Sequence, residues 1–147
     1  LYGEATRNLR YKTWNTMKRL RGESTLPWMC IGDFNKILRP EEQHGLNERD
    51  SSQIEGFGEA ADVCGLADLG YRGLDWTWEK KVAGGYFCRV RLDRACADEA
   101  LREIFPFAQV VHLASSCSDH IPIVVRLAHE EPRRNKNVPI YEIMWEQ

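Results

Sequence analysis

The sequence predicts a layered fold of mixed helices and strands, α/β or α+β, and two observations carry that prediction. Stretches with apolar residues at helical spacing alternate along the chain with short runs of the buried or alternating strand kind. Gly and Pro punctuate the joins between them, as at Gly22, Pro27, Gly32, Gly65 and Gly84-Gly85. A chain of 147 residues, 43% hydrophobic, has room for one packed core and not for two ordinary domains.

Taken in order, Tyr11, Trp14, Met17 and Leu20 recur among charged residues between Arg7 and Leu20, the pattern of an amphipathic helix laid on a sheet and ending near Gly22. Pro27 then introduces Trp28-Met29-Cys30-Ile31, a continuous apolar run of the buried-strand kind stopped by Gly32. Residues 41–52 are charged, polar and loop-like. From Gln53 to Cys64 the positions of Ile54, Phe57, Ala61 and Cys64 fit a second helix, with Gly65 as its stop. Asp75 to Trp78 and Phe87 to Leu92 alternate bulky with polar residues around Gly84-Gly85, which predicts an antiparallel hairpin. A short helix over Asp98 to Ile104 follows, then strands over Gln109 to Leu113 and Ile121 to Leu127. The charged, aperiodic text from 128 to 137 reads as a linker, placing a domain over 1–127 and a linker with the start of another region over 128–147.

A net charge of -2 carries no bulk basic excess, so contact with nucleic acid has to be local. The first helix, with Arg7, Arg10, Lys12, Lys18, Arg19 and Arg21, is the one basic candidate, and a solvated helix face explains it equally. Cys30, Cys64, Cys88, Cys96 and Cys117 stand apart in apolar text with no C-x-x-C pair, the usage of buried thiols in a reducing compartment. No signal peptide or apolar run of membrane-spanning length is present, and no membrane is expected as a partner.

Chemistry gathers in three clusters beside predicted strands. Asp33 and Asn35, one residue apart after Ile31, project to the same side if extended, so a carboxylate and an amide can reach one small target; the same Gly-Asp-x-Asn text also suits a turn. Ser116 to Pro122 sets Asp119 beside His120 at the start of a strand, either a metal or water-orienting carboxylate with a group titrating near neutral pH, or a cap with an incidental histidine. Asp93 falls in apolar and basic text and needs a partner, which is His120 in a hydrolytic site or Arg91 or Arg94 in a plain ion pair. Together these groups suit attack of a positioned water on a phosphodiester, and the carboxylates favour a hard cation such as Mg²⁺.

In that order, Ile31-Gly32-Asp33-Phe34-Asn35, Trp76-Thr77-Trp78, Arg91-Leu92-Asp93-Arg94 and Ser118-Asp119-His120 resemble the endonuclease/exonuclease/phosphatase superfamily, and more narrowly the endonuclease domain of plant LINE-type (non-LTR) retrotransposons. The resemblance runs over almost the whole chain and extends to Cys64-Gly65-Leu66-Ala67-Asp68-Leu69-Gly70 and Phe105-Pro106. It implies a two-layer β-sandwich flanked by helices and a DNA-nicking hydrolase dependent on Mg²⁺ or Mn²⁺, working in the nucleus and fused to a reverse transcriptase. By the same resemblance Asp33 positions or activates water, Asn35 holds a phosphate oxygen, Asp93 orients His120, and Asp119 binds the metal or its water. Tyr2 would stand near the phosphate, with Thr77 and Ser118 in the phosphate-contacting shell. The family's first half, with its metal-binding Glu, has no counterpart, and Glu4 stands where a Pro often follows the Tyr-Gly pair. The chain alone is therefore expected to be inactive or nearly so, and a catalytically dead remnant that only binds nucleic acid or a protein is the alternative reading.

Overall fold

Two helices and a three-stranded sheet enclose the main core, and the order of elements explains why. The computed structural model describes residues 1–45, 52–81, 83–85, 87–114 and 118–131. A one-turn 3-10 helix (Arg7–Leu9) leads into α1 (Tyr11–Glu23), then come β1 (Met29–Asp33), a second 3-10 turn (Pro40–Glu42), β2 (Gln43–His44) and α2 (Ser52–Val63). The chain continues through β3 (Ala67–Asp68), β4 (Trp78–Lys81), β5 (Phe87–Val90), β6 (Asp93–Ala97), α3 (Glu99–Ile104), β7 (Gln109–His112) and β8 (Ile123–Arg126). The strands form sheets in the orders β1-β6-β3, β2-β5-β4 and β7-β8, every named pair antiparallel. This is the mixed α/β layering that the alternation of periods predicts.

In β1 and β6 directly opposed residues point to one face, and the register sets Cys30 opposite Cys96, Gly32 opposite Arg94 and Asp33 opposite Asp93. Cys30 and Cys96 turn to the helices, where they join Trp14, Met17, Phe34, Phe57 and Cys64 in one buried cluster. Trp14 stacks on Phe57 at 5.1 Å and Phe34 tilts against Phe57 at 4.8 Å, so three aromatic rings hold α1 and α2 to the sheet. Burial pushes the Cys30 thiol up to about 11 and the Cys96 thiol up to about 12, which keeps both neutral and inert. Cys117 lies outside the described residues.

Several boundaries differ from those predicted. Of the expected apolar face of α1 only Trp14 and Met17 are buried, while Tyr11 and Leu20 are exposed; the helix packs chiefly against α2, where Trp14 meets Phe57. Gly32 does not stop β1 but lies within it at φ 142°, since a Cβ there would fall on the carbonyl of Leu1. Residues 1–3 run parallel to β1, with the Leu1 amino group donating to Ile31 O at 2.6 Å and Gly3 N to Asp33 O at 2.6 Å. The hairpin forms with Trp78 opposite Val90, so its first strand starts at Trp78 rather than Asp75. Its second strand ends at Val90, and the chain then crosses into the other sheet, leaving Asp93 as the first residue of β6. β2 and β3, two residues each, were not predicted; strands that short carry no periodicity to read.

Two guanidinium groups lock these sheets together. Arg91 donates to Asp68 at 2.8 Å through both terminal nitrogens and to Glu42 at 2.9 Å; Arg94 reaches Asp68 and Glu42 at 2.8 Å each. Both arginines are buried. At the far end, Asp98 caps α3 by accepting from Leu101 N at 2.9 Å. Just beyond the predicted domain edge at 127, His129 still donates from Nδ1 to Ile104 O at 2.7 Å, and residues 132–147 lie outside the described residues.

Candidate active site

At the ends of β1 and β6 the fold brings together three of the residues the sequence singles out. Asp33 closes β1 directly opposite Asp93, the first residue of β6. The segment around Asp119 and His120 pairs with the start of β4: Glu79 N donates to Asp119 O at 2.9 Å, Ile121 N donates to Thr77 O at 2.8 Å, and Trp78 bridges His120. His120 thereby comes within reach of Asp93, and its Nδ1 donates to Asp93 Oδ2 at 2.8 Å. Of the three partners open to Asp93 in the sequence, the histidine is the one it has; Arg91 and Arg94 are turned to Glu42 and Asp68. An acceptor at Nδ1 fixes the tautomer and leaves Nε2 to face outward.

Asp33 and Asn35 make a turn and a site at once. Asn35 N donates to Asp33 Oδ1 at 2.7 Å, with Asn35 at φ 51°, a left-handed conformation that Asn tolerates better than most residues. Asn35 Nδ2 donates to Gly3 O at 2.7 Å, which ties the amide to the segment beside β1 and leaves its second N–H for another acceptor. Burial raises the Asp33 pKa; the Asn35 N–H lowers it in part, the Asp93 charge adds to the rise, and the His120 ring works against it. The result is a carboxylate more basic than usual beside an Asp–His pair.

The remaining candidates divide. Asp119 is exposed and accepts from the Trp78 indole at 3.1 Å; that hydrogen bond is the main reason its pKa is lowered. Ser118 Oγ accepts from His120 N at 3.2 Å and donates to Asp119 Oδ1 at 3.4 Å, bracing the loop; Ser116 and Cys117 lie outside the described residues. Tyr2 lies beside Asp33 through its backbone and is 75% exposed. Thr77, expected in the phosphate-contacting shell, is instead fully buried, and its Oγ1 accepts from Leu92 N at 2.9 Å and Asp93 N at 2.8 Å. Trp78 was named only within a motif; its role as the donor to Asp119 has no signal in the sequence, because it depends on a contact across 41 residues.

Other features of the surface fit a polyanion less well. Three of the six cations of the first helix are in ion pairs, Lys18 with Glu59 at 2.9 Å, Arg19 with Glu23 at 2.5 Å and Arg21 with Asp98 at 3.1 Å. A groove of about 640 Å³ is lined by Glu41, Glu42, Asp68 and Asp75 with Arg39 and Arg91, an acidic balance that repels phosphate. Hard oxygen donors for a cation are present in Asp33, Asp93 and Asp119, but among the described residues no three acidic, His or Cys side chains converge as a metal site needs. The described residues thus do not make a complete cation site. Among the described residues no helix is long and apolar enough to cross a membrane.

Sheets of antiparallel strands layered with helices, with an Asp–His pair where strands of two sheets meet, make a mixed α/β fold. Among the solved structures whose fold it shares is the "Endonuclease domain of TRAS1, a telomere-specific non-LTR retrotransposon", with a TM-score of 0.65 and 19% identity. That likeness covers 86% of this chain and 54% of the other, so the chain spans about half the length of that domain, and at such identity the likeness is one of fold. No protein-family model matches the sequence, and a search of curated proteins finds no match.

Proposed function

We propose that this chain carries part of the active centre of a phosphodiesterase of the retrotransposon endonuclease type, which nicks DNA. The observation that carries the reading is the Asp93–His120 contact of 2.8 Å set directly across from Asp33. In hydrolysis of a phosphodiester the water oxygen bonds to phosphorus, the bond to the leaving oxygen breaks, and charge builds on the phosphoryl oxygens. Asp33, its pKa raised by burial, orients the water and takes its proton. The free N–H of Asn35 donates to a phosphoryl oxygen, and His120, steadied by Asp93 and with protons on both ring nitrogens, donates from Nε2 to the phosphoryl oxygens or gives that proton to the leaving oxygen. Tyr2, beside Asp33 through its backbone, and Ser118, which accepts from His120 N, flank the phosphate in this reading.

Dependence on Mg²⁺ or Mn²⁺ belongs to the same proposal, with Asp119 holding the cation or its water; no step above runs through it. DNA as substrate, a reverse transcriptase on the same polyprotein, a plant host and work in the nucleus extend the reading and rest on the motif resemblance alone. The fold likeness to a retrotransposon endonuclease domain supports the enzyme class.

The test is nicking of supercoiled plasmid by this chain and by a form extended upstream, each with and without Mg²⁺ and each with His120→Ala. Mg²⁺-dependent nicking by the extended form, lost in His120→Ala by a factor of about 10² or more, is the expected result. A folded extended form that leaves the plasmid intact overturns it in favour of a chain that only binds.

A further inference from the structure

The Asp93–His120 pair joins residues 27 apart in sequence, yet one buried residue, through its side chain and its backbone, bonds both segments that present it. Thr77 sits at the start of the hairpin with no exposed surface. Its Oγ1 accepts from Leu92 N and Asp93 N, at 2.9 and 2.8 Å, where the chain leaves β5 for β6. Its own N donates to Val90 O at 3.0 Å, and its carbonyl accepts from Ile121 N at 2.8 Å, one residue past His120. Trp78, the next residue, bridges His120 through its backbone.

We propose that Thr77 is a positioning residue for the Asp93–His120 pair and not a contact to the phosphate. A hydroxyl accepting two neighbouring amide N–H groups pins the turn that aims Asp93. The carbonyl of the same residue pins the strand that carries His120. A β-branched side chain has a restricted χ1, so little freedom is left between the two attachments. Apart from the hydroxyl, Thr and Val share a shape, so Thr77→Val removes the acceptor and little else, while Thr77→Ser keeps it. What this does for catalysis rests on the phosphodiesterase reading; the placement of the pair does not.

The experiment is NMR of the folded chain labelled with ¹⁵N at histidine, reading the His120 Nδ1–H resonance, assigned by its absence in His120→Gln, and its exchange with water. Wild type and Thr77→Ser should show the signal. In Thr77→Val it should vanish or exchange about tenfold faster or more, while the amide signals of Met17, Ala60 and Cys96 stay in place. A Thr77→Val protein that keeps the signal at the wild-type exchange rate overturns the proposal, as does a folded Thr77→Ser protein that loses it. Should Thr77→Val fail to fold, amide exchange in the wild type decides: Leu92 and Asp93 amides protected like those of β6 support the assignment, and exchange at exposed rates overturns it. Plasmid nicking enters none of these readouts, so failure of the positioning role and failure of the nuclease reading remain distinct results.

Discussion

Asp33 is held in a state that suits chemistry better than stability. Its carboxylate loses hydration on folding and faces Asp93 across the sheet, and both effects raise its pKa. A folded-state value above the unfolded one means that ionised Asp33 works against folding, and the loss grows as pH rises through the raised value. Asp33→Asn keeps an oxygen for Asn35 N and removes the charge. We expect it to raise the unfolding free energy near pH 7 by up to about 1 kcal/mol, after discounting for the partial exposure of the group, while abolishing nicking by the extended form. Urea unfolding at pH 7 and pH 4 checks this, since the gain should shrink at the lower pH. An equal or lower stability at pH 7 would show that the hydrogen bond from Asn35 outweighs burial. His120 was legible in the sequence as a candidate partner of Asp93, but the choice between it and Arg91 or Arg94 was not, because proximity across the sheet is a tertiary fact.

At the scale of elements, β1 depends on a glycine that the sequence suggested would end it. With Gly32 at φ 142° and Leu1 packed where a side chain would go, β1 can accept residues 1–3 along its edge and carry Asp33 at its end. Gly32→Ala imposes backbone strain of about 1–3 kcal/mol and displaces the Leu1 segment. We expect lower stability by at least that amount, together with faster amide exchange at Gly3, whose N–H bonds Asp33 O. Unchanged exchange at Gly3 would mean that the segment is held by something other than the bare glycine. Helix and strand identities were largely readable here, since α1, α2 and the β4–β5 hairpin follow their periodicities. Their ends were not, because edge pairing and the crossing at Arg91-Leu92 are decided between elements.

For the whole molecule, the linkage between sheets rests on four charged side chains. Burial alone would raise the pKa of Glu42 and Asp68, but hydrogen bonds and charge from Arg94 and Arg91 more than offset it and hold both below their ordinary values. Depressed folded-state values mean that this stabilisation is complete above the unfolded values of 4.5 and 3.8 and disappears as pH falls beneath them. Unfolding midpoints in urea should therefore drop steeply below about pH 4, and less steeply in Asp68→Asn. Asp68→Ala leaves Arg91 and Arg94 short of a partner in the interior, a loss of about 3–5 kcal/mol. Against a typical total of about 5–15 kcal/mol, that variant should melt far below the wild type; a change under about 1 kcal/mol would mean that water reaches the cluster. In the sequence these arginines were candidates only for Asp93, because nothing local distinguishes a residue that pairs across sheets from one that pairs with its neighbour.

The sequence by itself determined the class of fold, the order of most helices and strands, and the short set of candidate site residues. Those depend on periodicity and side-chain type, which a linear text carries in full. Tertiary structure decided that Asp93 belongs to His120 and not to Arg91 or Arg94, that Thr77 is buried and not presented to a ligand, and that Lys18, Arg19 and Arg21 of the first helix are paired with carboxylates. Each of those turns on distances between atoms many residues apart, set by strand register and by the exclusion of water from the space between sheets.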